Sequence, residues 1–117
     1  LEELLAQSDI VSIHAPLNDR TLNLIGAEQL AMMKPTAYLV NMGRGAIVVE
    51  EDLAKAVDEG VIAGAGIDVF VTEPIPEDHP YLTMKHPERM RLAPHVAWAS
   101  DEARTRLVEM VADNIYL

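Results

Sequence analysis

The chain has 117 residues, half of them apolar and 24% charged, and its 9 Lys and Arg against 19 Asp and Glu give a formal net charge of −10. That is the balance of one small packed domain, and an acidic excess with no basic run argues against nucleic acid and membrane surfaces as partners. No apolar run approaches the roughly 18 to 20 residues that cross a bilayer, and the lack of cysteine excludes disulfides and thiolate metal sites, so a cytoplasmic location is expected. The chain opens on Leu1-Glu2-Glu3 rather than on a basic and then apolar leader, and it is expected to be an interior piece of a longer soluble protein.

Apolar runs of strand length alternate with segments of helical period, each change marked by Gly, Pro or Asn. A first strand is predicted from about Asp9 to Ala15 and is ended by Pro16, which lacks a backbone donor. A short helix follows over about Gly26 to Met33, stopped by Pro35, and then a second strand over Ala37 to Asn41. After Gly43-Arg44-Gly45 a helix is predicted from about Glu50 to Glu59, with Leu53, Ala56 and Val57 on one face. Glu50, Glu51 and Asp52 lie at its positive end, and Gly60 is its C-terminal cap.

A third strand is predicted from about Val61 to Val69, where Gly64 and Gly66 allow close backbone approach. Pro74, Pro76, Pro80 and Pro87 then mark a long surface loop over Phe70 to Arg89. A short fourth strand covers about Met90 to Ala93, and a final helix, capped by Ser100, carries Ala103, Leu107, Met110, Val111 and Asn114 to the end of the chain. The fold class is therefore α/β: a partial, doubly wound, Rossmann-type parallel sheet of about four strands with crossover helices covering it. Sites in such sheets form beyond the carboxyl ends of the strands, where this sequence gathers His14, Asn41 with Arg44, Asp68 with Glu73, and His95.

Arg44, between two glycines whose missing side chains let a ligand approach, suits a carboxylate clamp or a surface ion pair. A carboxylate beside an imidazole fixes its tautomer and favours its protonated form, so Glu73 with His95 is a candidate acid-base pair, the alternative being a local structural contact. Asp68 suits either a ligand amide or nearby backbone donors. His79 and His86, seven apart in the Pro-rich loop, lack metal-ligand spacing, so no metal is expected. Met32, Met33 and Trp98 read as packing groups.

Together SDIVSIHAPLNDRT, VNMGRGAIVVEEDLAKAV, IAGAGIDVFVTEP and APHVAW resemble, in order and spacing, the D-isomer-specific 2-hydroxyacid dehydrogenases over nearly the whole chain. The resemblance implies an oxidoreductase that passes a hydride between NAD or NADP and a small 2-oxo or 2-hydroxy acid. It implies that Arg44 holds the substrate carboxylate, His95 is the general acid-base and Glu73 its partner. Asp68 then contacts the nicotinamide end of the cofactor, with His14, Ala15, Pro16, Asn41, Met42, Gly43, Arg44 and His95 also lining the dinucleotide site. Trp98 and the HPYL run resemble the glycerate dehydrogenase and hydroxypyruvate reductase branch.

Val49 stands where the family usually has an acidic helix cap, a loss of around 1 kcal/mol that does not touch the chemistry. The resemblance covers the second half of a dinucleotide-binding domain. The glycine-rich phosphate loop and ribose-reading acid are expected upstream of Leu1, and the substrate domain in the flanking chain. Taken alone, the 117 residues are expected to show no turnover and to leave the first strand as a bare edge. A homodimer is the expected state of the full-length protein. The competing readings are a dinucleotide-sensing, partner-binding module of the corepressor kind, and an inert fragment.

Overall fold

The computed structural model describes residues 1–116; position 117, onto which the last predicted helix runs, lies outside the described residues. Four parallel strands, β1 (Ile10–Ile13), β2 (Tyr38–Asn41), β3 (Gly64–Ile67) and β4 (Met90–Leu92), stand side by side in sequence order. Two of the three connections carry a helix: α2 (Ala27–Met32) after β1 and α3 (Glu50–Asp58) after β2. The third, from β3 to β4, is the Pro-rich loop, tightened by single 3₁₀ turns at Pro80–Leu82 and Pro87–Arg89. A short helix, α1 (Glu2–Gln7), precedes β1, and α4 (Asp101–Tyr116) follows β4.

Register puts Val11, Leu39, Ala65 and Met90 in one row across the sheet, and all four are buried. Leu5 of α1, Leu30 of α2, and Leu53 and Val57 of α3 join that row in one core. The opposite row carries Ser12, Val40, Gly66 and Arg91. Ile10 and Tyr38 beside it stay 65% and 51% exposed, so helices cover one face of the sheet and not both. The reason lies in α4: its Leu107, Val108, Met110 and Val111 are exposed and none of its described residues is buried, so it leaves the sheet rather than lying on it.

The strands are shorter than the apolar runs suggested. Val61, expected to open β3, instead donates its N–H to Ala56 at the end of α3, so the chain is still closing the helix there. At the other end of β1 the last ladder bond runs from the Met42 N–H to the Ile13 carbonyl, and His14 and Ala15 fall beyond it. Helix α1 is too short to show a period in the sequence; it is anchored by Leu5, which is fully buried.

Helix ends follow local chemistry. Gly60, at φ +72°, turns the chain out of α3 as its cap position predicts. Ser100 Oγ accepts the Ala103 N–H at 3.1 Å and caps α4. Val49 gives α3 no side-chain cap. The acidic first turn of α3 reaches outward instead: Asp52 accepts the Ala27 N–H at the start of α2 at 3.0 Å, and Glu50 accepts the Val71 N–H at 3.3 Å. At the far end Asp58 accepts the Lys85 and His86 N–H groups at 3.0 and 2.8 Å, tying the Pro-rich loop to the helix.

Candidate active site

The chain emerges from β2 at Asn41, which is 1% exposed and whose amide group shapes the turn that follows. Its Oδ1 accepts the Gly43 N–H and its Nδ2 donates to the Arg44 carbonyl, both at 3.0 Å. Arg44 is thereby lifted to the surface, with Nη1 donating to the Gly43 carbonyl at 2.8 Å. The flanking glycines serve the fold as well: Gly43 lines the cleft beyond the ends of β1 and β2, and both glycines admit neighbouring backbone. A Cβ on Gly43 would sit 2.8 Å from the Ala15 carbonyl oxygen, and one on Gly45 only 2.1 Å from the Phe70 carbonyl carbon. They let the Arg44 turn pack against the chain's own backbone on both sides. Gly64 likewise admits the Arg89 carbonyl, whereas a Cβ on Gly66 would meet nothing nearer than 3.9 Å.

The Phe70–Val71 peptide leads into Glu73. One carboxylate oxygen of Glu73 accepts the Phe70 N–H at 3.1 Å, and the other lies 2.8 Å from His95 Nδ1. These contacts hold the Glu73 carboxyl below its ordinary range, the His95 hydrogen bond foremost, then the Phe70 amide, with the nearby His95 and Arg44 charges adding to them. With Nδ1–H given to Glu73, His95 keeps Nε2 for a reacting group.

His95 adopts a left-handed backbone, φ +58°, a conformation that costs a non-glycine residue of order 1–3 kcal/mol and is held here from three directions. Glu73 takes the ring. Asp68, 5% exposed at the end of β3, accepts the Val96 and Ala97 N–H groups at 2.8 and 3.0 Å. Trp98 Nε1 donates to the His95 carbonyl at 2.7 Å. Of the two roles the sequence left open for Asp68, the geometry displays the backbone one. Trp98, read as a packing group, is 57% exposed and acts instead as a strut under His95; no signal in the sequence separates the two. Met32 is also exposed, while Met33 beside it is core.

Residues from three separate stretches thus gather at one rim: Glu73 and His95 in contact, Arg44 close enough for its charge to bear on Glu73. Beside them runs a cleft lined by His14, Ala15, Pro16, Met42 and Gly43, beyond the ends of β1 and β2. The His14 ring is fixed by Ser12 Oγ at 2.7 Å from Nε2. Met42 also borders a second hollow of about 280 Å³, mostly apolar, with Asp68, Ala93 and Val96 at the ends of β3 and β4. A flat ring fits such a surface, so these residues suit a dinucleotide laid across the strand ends. Among the described residues no cluster of His, Asp and Glu could hold a metal ion, and no helix is long and apolar enough to cross a membrane.

Residues 1–97 match the family described as D-isomer specific 2-hydroxyacid dehydrogenase, NAD binding domain. A glyoxylate reductase of Korarchaeum cryptofilum is 55% identical over 115 residues, which are 98% of this chain and 34% of that protein. A D-isomer specific 2-hydroxyacid dehydrogenase from Lactobacillus delbrueckii ssp. bulgaricus, solved in complex with NAD, superposes with a TM-score of 0.81 at 32% identity, covering 97% of this chain and 38% of that one. One from Xanthobacter autotrophicus Py2, solved with NADPH, gives a TM-score of 0.76 at 38% identity over 83% of this chain and 30% of that one. The chain spans about a third of the length of the curated relatives it matches.

Proposed function

Because the chain belongs to the D-isomer-specific 2-hydroxyacid dehydrogenase family, as part of its NAD-binding domain, we propose that its parent protein is an NAD(P)-dependent reductase of small 2-oxo acids and that residues 1–117 supply the acid-base half of its active site. The observation that carries this reading is the 2.8 Å contact between Glu73 and His95 Nδ1, beside the Arg44 charge. A bound nicotinamide cofactor supplies or accepts the hydride.

The remaining steps belong to this chain. The Arg44 guanidinium receives the substrate carboxylate and orients the adjacent carbonyl. As that carbonyl oxygen gains negative charge, His95 delivers the proton from Nε2, and in the reverse direction it takes the hydroxyl proton back. Glu73 fixes the tautomer through Nδ1 and stabilises the imidazolium in both directions. His14, Ala15, Pro16, Met42 and Gly43, which line the cleft, would hold the dinucleotide, while Asn41 and Asp68 hold the main chain beneath it. Relatives named glyoxylate reductase and hydroxypyruvate reductase favour small 2-oxo acids such as glyoxylate and hydroxypyruvate as substrates. The same reading has the parent protein cytoplasmic and homodimeric.

The test is kinetic. In the parent chain, His95→Ala should lower kcat for hydroxypyruvate by about 10²- to 10⁴-fold, the span of general acid-base catalysis, while reduced-cofactor binding, read by fluorescence titration, stays within twofold. Arg44→Ala should raise the KM for the 2-oxo acid and leave cofactor binding alike. Wild-type kinetics in either variant refute the assignment. The 117-residue chain by itself should oxidise no reduced cofactor with hydroxypyruvate.

A further inference from the structure

One buried ionisable pair takes no part in the chemistry just described. His79, 6% exposed, stands edge-on to the Phe70 ring and 4.6 Å from the Tyr81 ring centre. Its Nδ1 accepts the Tyr81 N–H at 3.1 Å, so in the neutral ring the proton sits on Nε2. That nitrogen lies 3.1 Å from Glu50 Oε1, off the line of a good hydrogen bond, and Glu50 is itself only 13% exposed. The other oxygen of Glu50 accepts the Val71 N–H.

Two carboxylates therefore grip adjacent amides: Glu73 takes Phe70 and Glu50 takes Val71, while Gly45, the neighbour of Arg44, packs directly on the peptide between them. If Val71 were released, the loop that carries Glu73 would keep no side-chain anchor to α3 at that point. We propose that Glu50, packed against His79, is a positioning residue that sets the Glu73–His95 pair through the Phe70–Val71 peptide. This rests on the reductase reading above. Asn41 gives Arg44 a second hold through the Arg44 carbonyl, so the effect falls on proton transfer more than on substrate capture.

An isosteric amide keeps one oxygen for the Val71 N–H but removes the carboxylate charge that lies 3.1 Å from His79 Nε2. In the parent chain Glu50→Gln should lower kcat for hydroxypyruvate by about fivefold and Glu50→Ala by tenfold or more, with KM and cofactor affinity within threefold. In the parent chain the ¹⁵N resonance of His95 Nδ1, which reports its hydrogen bond to Glu73, should move in both variants. A purely structural Glu50 would lower the melting temperature and leave both readouts alone. The proposal is overturned if Glu50→Gln and Glu50→Ala, folded by circular dichroism, keep kcat within twofold and the His95 resonance unmoved; should Glu50→Ala fail to fold, Glu50→Gln decides alone. A wild-type parent that reduces no 2-oxo acid would sink the reductase reading, while the resonance measurement would still decide the positioning role.

Discussion

Gly45 has no side chain to offer chemistry, yet it settles how Arg44 and Glu73 lie relative to each other. Adding one methyl group there drives a Cβ into the Phe70–Val71 backbone, which cannot step aside as a flexible side chain would. Overpacking commonly costs about 1–3 kcal/mol, and Gly45→Ala should fall at or above the top of that range, seen as a lower urea midpoint. The Gly-Arg-Gly run was plain in the sequence as a motif at a strand end, but its reason was not: which backbone occupies the space of an absent Cβ depends on contacts 25 residues away, between positions 45 and 70. The same limit hid the strut role of Trp98, whose indole reaches a carbonyl rather than a core.

At the scale of elements, α3 is the hub. Its first turn holds Val71 and Ala27, and its last turn holds the Pro-rich loop through Asp58. The Lys85 amide foremost keeps the Asp58 carboxyl below its ordinary value; partial desolvation opposes it, and the His86 amide adds to the lowering. A carboxyl that binds its proton more weakly folded than unfolded contributes stability above its unfolded pKa and loses it as pH falls through the folded one. Wild type should therefore be more resistant to urea than Asp58→Ala at pH 7, with the gap closing as the pH falls into the range where the folded carboxyl takes up its proton. Helix and strand order was readable because each junction carries Pro, Gly or Asn, and so was the Ser100 cap. Strand lengths were not, because an apolar residue such as Val61 looks the same whether its N–H joins a ladder or closes a helix.

For the molecule as a whole, the sheet ends at β1, whose outer edge pairs with nothing among the described residues, and one face with α4 stands open. Edge strands and apolar stripes favour association, while a formal charge of −10 opposes it. Salt weakens only the second effect, shortening the screening length from about 30 Å at 0.01 M to about 3 Å at 1 M. Sedimentation of the 117-residue chain should show larger species as salt is raised, and Ile10→Lys, which charges the edge strand, should suppress them. Open faces were not foreseeable from composition, since apolar residues on a covered strand and on a bare one read alike.

The chain has a single tryptophan, and that indole is fastened to the carbonyl of His95 while more than half open to solvent. Its emission is consequently an optical gauge of one peptide segment, free of background from other indoles. Quenching or a spectral shift on adding a nucleotide would report events at that histidine directly, with no dye attached.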